Sequence, residues 1–380
     1  YMIDLLLKLV SIDTTSETRK NFDIMSNLIL EEAEKIGLEA HKVVDDNRIP
    51  HVIINLAKRT GGKKIVFVAH YDVVPAGEGW DFDPFKPFIK DGKIFGRGAS
   101  DDKSGIVTAL AAFKEINESK LEIPNDVTLV VAGGEETGAA AGFFEKIEGD
   151  VAVILDVGPE GLSIGASGVV RAKVTVYGIQ GHSAYPFRAQ NAIYNATRLI
   201  NFIEAWGREL ETKRLSSFHA PEYYDRLPAR MNVTIIKGGI AGNVIPSEVE
   251  LIIDRRTIPE ENAEDVAKEL KERIEEFSKA SGFAKPAEVE ILGTMNAWVT
   301  NDEYVINCFR KIVSEIIGSE PKLVVELGGT DGIHFIERMP VIQFGALRSD
   351  TNIHGKNEFV YIKDLEIVKQ FVKKVSLSKL

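Results

Sequence analysis

Three unbroken apolar runs, Ile65–Ala69, Val127–Ala132 and Val151–Leu155, mark the first part of the chain. Runs without polar alternation predict strands buried on both faces, as in a parallel sheet covered by helices. His51–Leu56 is a further β-rich run. Helical spacing fills the intervals. Phe22, Ile24, Met25, Leu28 and Leu30 recur as one face of a helix over Arg19–Ile36, and Ile106–Ile116 forms a second, with Asp101-Asp102 where an N-cap belongs. Such alternation predicts an α/β layer architecture.

Near Ser167 the period changes. Val169–Tyr177, Met231–Ile236 and Val249–Ile253 alternate as half-buried antiparallel strands. Helices are predicted over Gln190–Trp206 and Glu261–Ala280, the latter with Val266, Leu270, Ile274 and Phe277 on one face. Past Lys285 the α/β style resumes with strand Val289–Leu292, helix Glu303–Ile317, strands Leu323–Val325 and Val341–Phe344, and a helix from Leu365. The expected fold is α/β, a mostly parallel central sheet flanked by helices, over residues 1–167 and 287–380. An inserted α+β domain over 168–286 interrupts it.

Composition narrows the function. With 46 Lys+Arg against 57 Asp+Glu, the net charge of −11 repels a phosphate backbone, so no nucleic-acid partner is expected. The single Cys308 cannot form an intramolecular disulfide and fits a reducing compartment. Tyr1–Val10 carries Asp4 and lacks a basic leader, and no apolar run approaches the ~18 residues of a membrane span. The expectation is a cytoplasmic protein without a membrane partner.

The apolar strands run into polar residues. Ile65–Ala69 leads to His70-Tyr71-Asp72, Val127–Ala132 to Gly133-Gly134-Glu135-Glu136, and Val151–Leu155 to Asp156. The carboxyl ends of parallel strands form the binding edge of an α/β sheet. Asp101 precedes a helix at that edge, and His354 follows Val341–Phe344 by a loop. Singly, each has a bland explanation: an incidental His-x-Asp, a helix N-cap, acidic residues in a first helical turn, a turn aspartate. Jointly they gather so much negative charge that each would raise the others' pKa unless cations neutralised it. Imidazole and carboxylate without thiolate suit zinc, with cobalt or manganese as substitutes. Six candidates exceed the ligands of one zinc and point to two ions that activate a water.

Among the other histidines, His41, His51 and His219 lie in polar contexts that predict surface positions, and His334 reads as structural. His182, in Gly181-His182-Ser183-Ala184-Tyr185-Pro186, ends a strand in a loop of the kind that presents a side chain. No dinucleotide fingerprint, phosphate-binding loop or nucleophile elbow is present.

Eight segments in order carry a resemblance: His70-Tyr71-Asp72-Val73-Val74-Pro75, Gly96-Arg97-Gly98-Ala99-Ser100-Asp101-Asp102-Lys103, Gly134-Glu135-Glu136-Thr137-Gly138, Gly181–Pro186, Gly242-Asn243-Val244-Ile245-Pro246, Asp254-Arg255-Arg256, Gly328-Gly329-Thr330-Asp331 and Asn352-Ile353-His354. Together they resemble the di-zinc aminoacylase/carboxypeptidase family, which includes succinyl-diaminopimelate desuccinylase, acetylornithine deacetylase and glutamate carboxypeptidase. The resemblance implies that His70 and Asp156 bind one zinc, Glu136 and His354 the other, and that Asp101 bridges them. It makes Asp72 the carboxylate behind His70 and Glu135 the general base. It implies a homodimer through the inserted domain, which also acts as a lid, with His182 reaching the partner's site to stabilise the oxyanion. Asn243 and Arg256, chosen over Arg255, are implied to hold the substrate carboxylate.

The implied reaction is hydrolysis of an N-acyl amino acid. Asp102-Lys103 and Thr137 are closer to the carboxypeptidase branch, whereas Ala184-Tyr185-Pro186 and Asn352-Ile353-His354 lean toward desuccinylases and deacetylases. The alternatives are a metallocarboxypeptidase or dipeptidase, and a non-catalytic metal-binding scaffold.

Overall fold

Strand Lys64–His70 runs parallel to both neighbours, Asp126–Ala132 and Val151–Ile154, and Val341–Gln343 extends the parallel core beyond Val151–Ile154. In the computed structural model, which describes residues 1–57 and 62–380, these are the unbroken apolar runs. Every residue of Lys64–His70 after Lys64 is buried, as is every residue of Val151–Ile154. Antiparallel strands flank this core. Pro50–Ala57 pairs with Asp126–Ala132 and Glu39–Val44 lies outside it, while Leu162–Ala166 meets Val341–Gln343 on the other side.

These strands belong to the first of two compact units, Tyr1–Gly165 with Thr300–Val324 and Thr330–Leu380. Helix Lys103–Ser119 is buried almost all round from Lys103 to Phe113, which matches its continuous apolar run. Its cap is Asp102, whose carboxylate accepts the Gly105 N–H at 3.2 Å; such caps contribute about 1 kcal/mol. Helices Met2–Val10 and Ile362–Leu377 pack against it, the first through Leu5, Leu6, Leu9 and Val10. Each fully buried leucine or phenylalanine here stabilises the unit by about 1.5–3 kcal/mol.

The second unit comprises Ala166–Val299 and Val325–Gly329. Its antiparallel sheet has the order Arg230–Gly238, Glu248–Thr257, Gly168–Tyr177, Glu288–Met295. Val170, Ala172, Val174 and Val176 alternate inward against Leu199, Ile203 and Trp206 of helix Ala192–Lys213 and Val266, Leu270 and Ile274 of helix Ala263–Ala280. Asn191 and Asn262 cap the two helices, so the second begins two residues after the expected Glu261.

One strand differs from its expected place. The pattern over Val289–Leu292 predicts a resumption of the α/β sheet, but Glu288–Met295 pairs antiparallel with Gly168–Tyr177 in the second unit. Only Val289 of this strand is buried. It is an edge strand, and its short apolar run carries no mark of which sheet it joins. No helix among the described residues is long and apolar enough to cross a membrane.

Candidate metal centre

Because the central strands are parallel, their carboxyl ends share one edge, and the chemistry collects there. His70 is the last residue of its strand. Glu135 and Glu136 follow Asp126–Ala132 through a Gly133-Gly134 turn, with Gly134 at φ +79°. Asp156 lies two residues beyond Val151–Ile154. Asp101 stands immediately before the helix cap, and His354 arrives on a loop with φ +59°.

Asp101 is shared between the two histidines. Its Oδ1 lies 3.1 Å from His70 Nε2 and its Oδ2 lies 3.0 Å from His354 Nε2. Each imidazole has a further carboxylate: Asp156 Oδ2 at 3.6 Å from His70 Nε2, and Glu136 Oε2 at 3.2 Å from His354 Nε2. Glu135 Oε2 also stands 3.6 Å from His70 Nε2. Ligand atoms of Asp101, Glu136 and His354 fall within 4.8 Å of one another, as do those of His70, Asp102 and Asp156, and of His70, Glu135 and Glu136. Asp102 is already committed, since its oxygens accept the N–H groups of His70 and Gly105. All six sequence-predicted metal-site carboxylates and imidazoles therefore meet in one place.

Crowding sets the electrostatics. Burial, then Asp101, pushes Asp156 up to about 7, and burial pushes Asp331 up to about 8. Burial and Asp331 hold the Glu135 carboxyl well above the usual range. Hydrogen bonds to Asp101 and Glu136 raise His354 to about 10. Burial opposes charge on Asp101, but its hydrogen bonds with His354 and His70 keep it ionised far below the normal carboxylate range. Without an ion, the crowding favours the protonated forms of Glu135, Asp156, Asp331 and His354.

Divalent cations fit the same donors. Asp156 Oδ1 is buried without any hydrogen-bond partner, and a buried acceptor left unmatched costs about 1–3 kcal/mol. The surrounding donors are imidazole nitrogen and carboxylate oxygen, the set that zinc, cobalt and manganese accept.

Asp72 faces both the His70 ring and the Glu135-Glu136 backbone. The His70 Nδ1 atom makes its hydrogen bond to the main-chain carbonyl of Asp72 at 3.0 Å, with the carboxylate farther, at 3.6 Å. The carboxylate also accepts the backbone N–H groups of Glu135 at 3.1 Å and Glu136 at 3.2 Å. His51, expected at the surface, is fully buried. It stacks on Phe143 at 3.7 Å, and its Nδ1 accepts the Gly133 N–H at 3.3 Å. These partners lie far off in sequence, so the polar flanks of His51 gave no sign of them. Asp331, which the sequence shows only as the end of Gly328-Gly329-Thr330-Asp331, is a buried acid that helps to raise Glu135.

His182, Asn243 and Arg256 belong to the second unit. Gly181–His182 pairs with Val244–Ile245, and Ser183 N donates to the Asn243 carbonyl at 3.1 Å, so His182 and Asn243 share one ribbon. His182 is exposed, and its Nδ1 accepts the Ala184 N–H at 3.0 Å. A neutral ring in that arrangement carries its proton on Nε2. Arg255 is buried and bound to Glu261 at 2.6 Å. Arg256 lies on the opposite, half-buried face of the strand, bonded to Asp254 at 2.7 Å.

A carboxylate–imidazole cluster at the binding edge of a parallel α/β sheet, with a buried orphan acceptor, is a donor set that fits a divalent metal centre. The chain belongs to the peptidase family M20/M25/M40, whose model matches residues 66–378, and is a hydrolase of amide bonds. The scaffold alternative is thereby set aside. A succinyl-diaminopimelate desuccinylase from Nitrosomonas eutropha is 30% identical over 348 residues, covering 86% of this chain and 86% of the relative. A protein of the same name from Sulfurovum sp. is 26% identical over 382 residues, covering 96% and 95%. A Staphylococcus aureus tripeptidase has the same fold with TM-score 0.79 at 20% identity, covering 99% of this chain and 96% of that one. An M20 metallo-carboxypeptidase from Sulfolobus solfataricus gives 0.74 at 20% identity, covering 99% and 98%.

Proposed function

We propose that the protein cleaves the amide bond of an N-acyl amino acid, of the N-succinyl-diaminopimelate or N-acetylornithine kind, with two divalent ions, natively zinc. The observation that carries this reading is the division of Asp101 between His70 and His354. One ion would take His70 and Asp156, the other Glu136 and His354, with Asp101 common to both. Bound there, the ions would supply Lewis acidity that polarises the amide carbonyl and makes a water deprotonate near neutral pH.

Each histidine then has Asp101 and one further carboxylate, which leaves Glu135 free for proton transfer. It would take a proton from the attacking water and deliver it to the leaving amine nitrogen. Asp72 fixes the Glu135-Glu136 backbone, which would hold each side chain to its own task. His182 would donate its Nε2 proton to the developing oxyanion. Arg256, on the accessible face of its strand, and Asn243, in the same ribbon as His182, would hold the substrate carboxylate.

In this reading the second unit is the inserted lid and dimerisation domain. Its edge strand Arg230–Gly238 exposes Ile235 and Ile236, which suits pairing with a second copy, and the dimer works in the cytoplasm. The test is amine release by zinc-reconstituted protein from N-succinyl-diaminopimelate, N-acetylornithine, other N-acyl amino acids and dipeptides, with a chelated control. Metal-dependent turnover of acyl amino acids supports the proposal. Turnover of dipeptides alone would assign the peptidase branch instead.

A further inference from the structure

His70 and Asp156 stand on or next to strands of the sheet, but His354 sits in a loop whose backbone also turns left-handed at Asn352 and Asn357. The sheet therefore does not fix its distance from Asp101. Beneath this loop lies a fully buried ion pair that the proposed mechanism does not use, Arg97 with Glu358. Glu358 Oε2 accepts from Arg97 Nη1 at 2.6 Å and from Gly98 N at 2.9 Å. Its Oε1 accepts from Ser100 N at 2.9 Å and from Asp101 N at 3.1 Å. The other arm of Arg97, Nη2, donates at 2.9 Å to the carbonyl of Gly355, the residue after His354. Ser100 Oγ and Thr351 Oγ1, 3.1 Å apart, join the same two segments. The Trp80 ring stacks over the guanidinium at 5.1 Å.

Burying an ion pair seldom stabilises a fold more than apolar residues of the same volume would. Here the pair does something apolar residues cannot. One carboxylate gathers four donors, one of them the backbone N–H of Asp101, while the guanidinium it anchors holds the backbone beside His354. Both segments are thus tied to a single hydrogen-bonded unit.

We infer that Arg97 and Glu358 are positioning residues that keep Asp101 and His354 in register and thereby set the cation affinity of the His354 half of the centre. This rests on the two-ion reading given above. The pair makes no hydrogen bond to a proposed ligand side chain; what it holds directly is the backbone at Asp101 and Gly355.

The experiment is a titration of metal-stripped protein with zinc against a chromophoric chelator, for the wild type, Glu358→Gln and Arg97→Lys. Circular dichroism and melting of each ion-free protein accompany it. Wild type is expected to take two equivalents. In Glu358→Gln an amide N–H₂ replaces an acceptor oxygen and faces donors, so the second equivalent should bind about tenfold to a hundredfold more weakly, and the first, which shares Asp101, should weaken less. Arg97→Lys keeps charge beside Glu358 but loses the arm to Gly355, and should weaken the second equivalent by roughly a few-fold to tenfold; it carries the test if Glu358→Gln does not fold. Folded variants that bind both equivalents as wild type does, or lose both alike, would overturn the positioning role while leaving the two-ion reading intact. A wild type that binds fewer than two equivalents would overturn that reading and this inference with it.

Discussion

The carboxylate of Asp72 accepts the backbone N–H of Glu135 at 3.1 Å. The residue two places after His70 therefore fixes the chain at the proposed general base, and its second oxygen does the same for Glu136 at 3.2 Å. Asp72→Asn replaces one of these acceptors with a donor that faces an N–H. Turnover should fall roughly tenfold to a hundredfold, with most of the loss in kcat, because the substrate-holding groups are untouched. Steady-state kinetics and metal content measured on the same preparation check this; a change confined to KM would contradict it.

The ion-free protein should become less stable as pH rises. Asp156, at about 7, and Asp331, at about 8, bind protons more tightly when folded than their usual 3.8 allows. His354, at about 10, does so relative to 6.5. Where the folded state binds more protons, stability falls with increasing pH. The carboxyl contributions are lost from about pH 4 upward through 7 and 8. That of His354 is complete below 6.5 and lost through about 10, and solvent screens part of it because the side chain is 55% exposed. The melting temperature of metal-stripped protein should thus drop from about pH 5 to pH 8, and the gain on adding zinc should grow across that window as cations take the place of protons. An ion-free melting temperature that rises with pH would contradict the electrostatics described.

His182→Ala should lower kcat by roughly a hundredfold to a thousandfold, the effect of removing one oxyanion donor, and leave the bound metal unchanged. If the donor comes from the partner subunit, a mixed dimer of His182→Ala and Glu135→Gln chains rebuilds one of its two sites. It should then recover about half the wild-type rate per dimer. Mixed dimers with no recovery would place the donor elsewhere.

How far these features could be read from sequence depends on the range of the interactions behind them. The buried strands were legible because Ile65–Ala69 and Val151–Leu155 have no polar interruptions, and their parallel pairing follows once helices cover both faces. His70, Asp101, Glu135, Glu136, Asp156 and His354 were legible because each follows a strand or precedes a helix at one edge. The remainder depends on distant partners. The run Val289–Leu292 suits either sheet, and only its pairing with Gly168–Tyr177 decides. His51 is buried by Phe143, and Glu358 binds Gly98 across 260 positions. The position of Asp72 two residues after His70 marks it as a companion of that ring, but nothing local says that its carboxylate also reaches the backbone of Glu135 and Glu136.

The most direct test of the account pairs wild type with Glu135→Gln in a single measurement. Zinc-reconstituted proteins are assayed for amine release from N-acyl amino acids while their metal content is determined on the same samples. The account predicts metal-dependent turnover by wild type, and by the variant a rate lower by roughly a hundredfold to ten-thousandfold at equal metal content. A variant as active as wild type, or a wild type equally active after its metal is stripped, would contradict it.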